Sequence, residues 1–133
     1  MEGDGCFHML KQPLDDKCDK KGLTLPAISY PHKDSSGDVG CSVSGGYVYR
    51  GCAMSGMQGV YFYGDYGAGF INTFQGVSGG NAQNVTERSG DLDPATGGFS
   101  IGGISSFGED ARGEIYIVGA PGASVDDPDE TCA

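Results

Sequence analysis

The chain has 133 residues, enough for one domain and one core but too few for two. Its 25 glycines lack the every-third-residue period of a collagen helix. A net charge of -10 sets the surface against nucleic-acid phosphates and anionic membranes, so neither is an expected partner.

Residues 1–40 are polar and punctuated by Pro13, Pro26 and Pro31, with acidic clusters at 15–17 and 34–38, and read as loops around short extended pieces such as 23–30. The opening Met1–Gly5 lacks the basic start and apolar stretch of a signal peptide, and no run approaches the about 18 apolar residues of a membrane span. From Cys41 to Gly76 the composition shifts: Arg50 and Asp65 are the only charged residues, and aromatics crowd the stretch. Three strand-length runs bounded by glycine, 44–51, 59–65 and 69–74, predict an antiparallel meander. The second run carries Val60 and Phe62 on one side and Tyr61 and Tyr63 on the other, so it is expected to be covered on both faces. The same is expected of Ile115–Val118, whereas 83–88 and 99–107 read as more exposed strands, the latter weakened by Gly102 and Gly103. No segment shows the apolar spacing of a helix. The predicted class is all-β: a loop-rich lead-in over 1–40, a sheet core over 41–118, and an acidic, mobile tail over 119–133. Short sheets covered on both faces suit a radial array such as a β-propeller, of which this chain holds about two blades at about 40–50 residues per blade.

The segments CSVSGGYVYRG (41–51), GVYFYGDY (59–66) and ISSFGEDARGEIYIV (104–118) resemble the C-terminal part of the glucose/sorbosone dehydrogenase family. Cys6-Phe7, Cys18, Leu23-Thr24-Leu25-Pro26 and Tyr30-Pro31-His32 resemble the segment just before it. The resemblance implies part of a six-bladed propeller that, when complete, oxidises sugars with pyrroloquinoline quinone and calcium. The family's general-base histidine lies in an earlier blade with no counterpart here. Its lysine and two arginines that hold the cofactor fall at about Gly67, Ile101 and Gly103, so all three cations are missing and no cofactor is expected. The resemblance also implies a Cys6–Cys18 disulfide. Cys41 and Cys52 are expected to bridge adjacent strands, although relatives place the partner of Cys41 where this chain has Gly67. Those relatives are mostly periplasmic or secreted. The resemblance implies a chain that starts mid-ring and stops before the family's final strand, as a piece of a larger gene would.

Among candidate chemical groups, His8 and His32 are the only histidines, and neither has a neighbouring nucleophile and carboxylate in a catalytic spacing. His32 reads as a loop residue or a pocket liner, grouped with Arg50, Tyr63, Asp65 and Tyr66 as potential ligand contacts. Asp65 is expected to form a buried ion pair with Arg50. Glu109, Asp110 and Glu114 either offer oxygen ligands to a calcium ion or form a hairpin turn whose carboxylate accepts backbone N–H groups. The tyrosines at 47, 49, 61, 63 and 66 read as packing, or as a stacking surface for a small carbohydrate. Asn84-Val85-Thr86 matches a glycosylation acceptor, a tripeptide that occurs often by chance and matters only in a eukaryotic secreted context. The expected function is a non-catalytic, self-associating propeller fragment, a trimer that rebuilds the ring or a dimer that caps its open faces. The alternative is a sugar or alcohol oxidoreductase that uses pyrroloquinoline quinone and calcium and is assembled from several copies.

Overall fold

A computed structural model of the chain describes residues 19–92, 94 and 101–120. Cys6, Cys18, His8 and residues 121–133 of the expected tail lie outside the described residues, while Gly119, expected in the tail, ends the last strand. The architecture is all-β, with a 3-10 turn at Ser55–Met57. A tight hairpin, β1 (Lys33–Asp34) and β2 (Gly37–Asp38), precedes a four-stranded sheet. That sheet contains β3 (Val43–Ser44), β4 (Tyr61–Asp65), β5 (Ile71–Phe74) and a later strand, β8 (Thr86–Glu87), in the order β3-β4-β5-β8. All its pairings are antiparallel, with Tyr61 opposite Phe74, Gly64 opposite Ile71 and Asn72 opposite Glu87. Between β5 and β8 stands a small ribbon, β6 (Val77–Ser78) with β7 (Asn81–Ala82). Its two-residue loop, Gly79-Gly80, has φ of 58° and 82°, the positive values that a tight hairpin matching strand twist demands. A second ribbon, β9 (Ile104–Glu109) with β10 (Ile115–Gly119), closes the fold.

The core lies between one face of the four-stranded sheet and the β9–β10 ribbon. Alternation along β4 sends Phe62 and Gly64 to this side, and their partners Thr73 and Ile71 follow. They meet Ile104 and Phe107 from β9, and Tyr49 and Val60 complete the buried cluster. Ser44 Oγ donates to the Ile104 carbonyl at 2.5 Å, which pins ribbon to sheet. Gly64 is required there, because a Cβ on it would stand 2.9 Å from Ile104 Cγ2.

The expected meander is present in β3, β4 and β5, and β4 is covered on both faces: Phe62 is 2 % exposed and Tyr63 3 %. Several expectations need correcting. The run 44–51 is not one strand, since pairing stops at Ser44 and resumes only at the isolated Val48–Tyr61 bridge. Gly46 lies between them, hard against the Phe62 carbonyl, where a side chain would collide. The Ile115–Val118 strand is covered on one face only: Ile115 and Ile117 pack on the core while Tyr116 and Val118 are exposed. Residues 23–30 form no strand and run as an irregular strap.

The propeller expectation also fails. Among the described residues there is one four-stranded sheet and three two-stranded ribbons, and no sheet closes or curls into a ring. The exposed strand expected over 83–88 is the short β8, and it completes the four-stranded sheet, because Thr86 and Glu87 pair with Thr73 and Asn72. Among the described residues β9 and β10 form the second layer, with Gly102-Gly103 just before the start of β9.

Candidate functional site

The face of the sheet turned away from the core carries Tyr61, Tyr63 and Asp65 from β4, Phe74 and Asn72 from β5, and Val43 from β3. Their rings pack as a cluster: Tyr61 lies 5.0 Å from Phe74, and Tyr63 meets Phe70 edge-on at 89°. The strap Pro26–Tyr30 lies across this face and is tied at two points. Ala82 N donates to the Ala27 carbonyl at 2.8 Å, and the Tyr30 hydroxyl donates to Asp65 Oδ2 at 2.8 Å.

Asp65 is fully buried and accepts from four donors: the Tyr30 hydroxyl and the backbone N–H groups of Cys41, Ser42 and Ala68. Burial alone would push its carboxyl up, but the hydrogen bonds from Ala68, Cys41, Tyr30 and Ser42 outweigh it and hold the group below the usual carboxylate range. Burial and the carboxylate beside it push the Tyr30 hydroxyl well above the ordinary tyrosine value. The expected Arg50–Asp65 ion pair does not form. Arg50 is exposed and faces Glu109 at 3.8 Å.

An open groove of about 600 Å³ lies between residues 24–29 and 79–82, and two smaller ones lie where the strap meets the aromatic face. One, of about 400 Å³, runs between Pro26–Tyr30 and the rings of Tyr61, Tyr63 and Phe74, with the exposed Val43 at its rim. The other, of about 350 Å³, is bordered by Tyr30, Tyr63, Phe70, Asn72 and Val85. In the second, Asn72 Oδ1 is buried and lacks a hydrogen-bond partner among the described residues. A buried acceptor left in that state is costly unless a donor reaches it, and the same side chain already hydrogen-bonds that of Tyr63.

The remaining residues singled out in the sequence do not converge. His32 is exposed and its carbonyl accepts from Val39. Tyr66 is half-buried and its carbonyl abuts Gly103. Gly67 sits against the Cys41 side chain, Ile101 packs at the core margin, and a side chain at Gly67 or Gly103 would collide with its neighbour. Asp110 Oδ1 accepts from the N–H groups of Arg112 and Glu114, and these bonds hold its carboxyl low. Glu114 accepts from the Tyr49 hydroxyl and from Cys52 and Ala53, with the same effect. Glu109 points elsewhere, and among the described residues no three histidine, cysteine or acidic side chains gather as a metal site. The Asp110–Glu114 segment is the hairpin turn of the two readings. Cys41 and Cys52 are not bridged: Cys52 is free and exposed, Cys41 is engaged elsewhere, and no disulfide joins two described residues.

Sequence reasoning missed Tyr30, Asn72 and Val43. Nothing local in the sequence marks Tyr30, since its role depends on the strap crossing back over β4.

No protein-family model matches the chain, and no solved structure does. The chain is similar to HIPL1 protein of Arabidopsis thaliana, 31 % identical over 91 % of this chain and 19 % of that protein. It is also similar to Hedgehog-interacting protein of mouse and of human, in each case 38 % identical over 56 % of this chain and 10 % of the relative. These findings overturn the expectation of a glucose/sorbosone dehydrogenase: the named relatives are Hedgehog-interacting and HIPL proteins. The chain spans about a fifth or less of the length of the curated relatives it matches. Among the described residues no helix is long and apolar enough to cross a membrane.

Proposed function

We propose that the chain is a non-catalytic recognition module that works outside the cell, and that the aromatic grooves beside the strap take side chains of a protein partner. The observation that carries the reading is the unpartnered Asn72 Oδ1 on an aromatic wall, an arrangement with apolar contact area and one vacant acceptor. The three most engaged carboxylates, Asp65, Asp110 and Glu114, are each committed to backbone N–H and tyrosine O–H donors, which favours a structural role for them over acid–base work. The names of the mouse and human relatives point to a Hedgehog protein as the first probe.

The test is calorimetric titration of the purified chain with a Hedgehog signalling domain and, in parallel, with simple sugars. Saturable binding of the protein, weakened at least tenfold by Val43→Asp at the groove rim and by Asn72→Ala, supports the reading. Binding that ignores both substitutions, or none at all, overturns it. Sugar binding without protein binding replaces it with carbohydrate recognition. A second reading, self-association, is favoured by one observation: Tyr116 and Val118 stand exposed at alternate positions of the edge strand β10.

A further inference from the structure

We propose that Asn84 is a site of N-linked glycosylation. The inference rests on the extracellular setting proposed above and goes beyond it to a covalent modification. Asn84-Val85-Thr86 is the chain's single Asn-x-Ser/Thr tripeptide, and its middle residue is not proline. Such tripeptides arise by chance, so the weight comes from where the fold puts this one. All three residues are exposed, Asn84 and Val85 between β7 and β8 and Thr86 as the first residue of β8. Asn84 has φ of 53°, and among the described residues it is the only non-glycine with a positive φ. Asparagine tolerates that conformation better than most side chains, and here it places the acceptor on a sharp outward turn. Thr86 Oγ1 folds back and donates to the Asn84 carbonyl at 3.2 Å, so the hydroxyl that defines the motif lies close to the acceptor residue. The side-chain amide donates to Gln75 Oε1 at 3.0 Å, itself on an exposed residue.

The transfer balances on these atoms. Asn84 Nδ2 attacks the anomeric carbon of a lipid-pyrophosphate-linked oligosaccharide. The new N–C bond forms as the C–O bond to the pyrophosphate breaks, and the lipid pyrophosphate leaves with the electron pair. Nδ2 releases one of its two hydrogens as a proton, and nothing is oxidised or reduced. The product keeps one N–H on Nδ2, enough to maintain the bond to Gln75, so the β7–β8 bend accepts the sugar without refolding.

The full chain expressed behind a secretory leader in cultured mammalian cells tests this, with intact mass read before and after peptide-N-glycosidase on both the cell-associated and the secreted protein. A single discrete mass loss is expected, with residue 84 recovered as aspartate by peptide mapping. Asn84→Gln and Thr86→Ala abolish the loss, whereas Thr86→Ser retains it, and that rescue separates acceptor chemistry from misfolding. Protein that enters the secretory pathway and shows no loss on digestion overturns the proposal, as does a loss that survives Asn84→Gln. An occupied Asn84 on a chain that fails to bind a Hedgehog domain overturns only the recognition reading. An unoccupied Asn84 on a chain that binds overturns only this one.

Discussion

At the scale of single residues, Asp65 does the work that charge counting assigned to an ion pair. Its isolation in an apolar stretch was legible, and so was its burial. Its partners were not, because backbone N–H groups and a tyrosine from 35 residues away leave no trace in the pattern of charges. Removing the carboxylate strands three backbone donors in a protected site, at about 1–3 kcal/mol for each. Asp65→Ala is therefore expected to lower stability by at least about 3 kcal/mol. Asp65→Asn keeps the shape and one acceptor and costs less. The same carboxyl titrates lower in the folded chain than in the unfolded one. Its contribution is thus complete above the unfolded value, about 4, and fades as pH falls through the folded value. Urea melts across the acid range should show wild-type stability falling with pH, with a shallower slope for Asp65→Asn. Equal slopes would remove Asp65 as the source.

At the scale of elements, the strands dense in aromatic and β-branched residues were readable from the sequence, and the stretch opened by two consecutive glycines was not. Tyr61–Asp65 and Ile71–Phe74 fall inside their expected runs, because alternation and bounding turns agree there. The segment between Ser44 and Gly51 reads as a strand by composition, yet Gly45-Gly46 let it leave the ladder while Tyr49 stays buried. Sheet and ribbon meet through residues with no slack, which gives the interface its own prediction. Gly64→Ala places a methyl against Ile104 and the Phe70 carbonyl, so β4 and β9 must separate. The expected loss is about 1–3 kcal/mol, the usual cost of overpacking, read as a lower urea midpoint with an unchanged slope. Wild-type stability in this variant would show that the contact yields freely.

At the scale of the whole molecule, the reading of an all-β chain with a loop-rich lead-in holds, and the ring does not. Bulky residues on both sides of β4 suggested neighbouring sheets on each side. The structure satisfies that demand on one side with the β9–β10 ribbon and on the other with the strap, a piece of chain with no sheet signature at all. The strap's partners are fixed by tertiary contact alone, which is why the grooves beside it had no sequence signal beyond Tyr63. The outward face of β10 remains apolar at Tyr116 and Val118. Native mass spectrometry of the purified chain is expected to show species larger than one chain, reduced to the monomer by Tyr116→Lys. A wild-type monomer at all concentrations would end the self-association reading.

The two tethers of the strap have a consequence for how the fold opens. Breaking the Ala27–Ala82 and Tyr30–Asp65 bonds lifts residues 24–30 away while leaving the Phe62, Ile71 and Ile104 core in place. The strap is thus a separate unit of local unfolding, with a free energy of opening below that of the whole domain. Amide hydrogen exchange would report it as early loss of protection at Ala82, well before the amides of β4 exchange. A partner seated in the grooves would hold the strap down, so protection at that one amide becomes a gauge of occupancy.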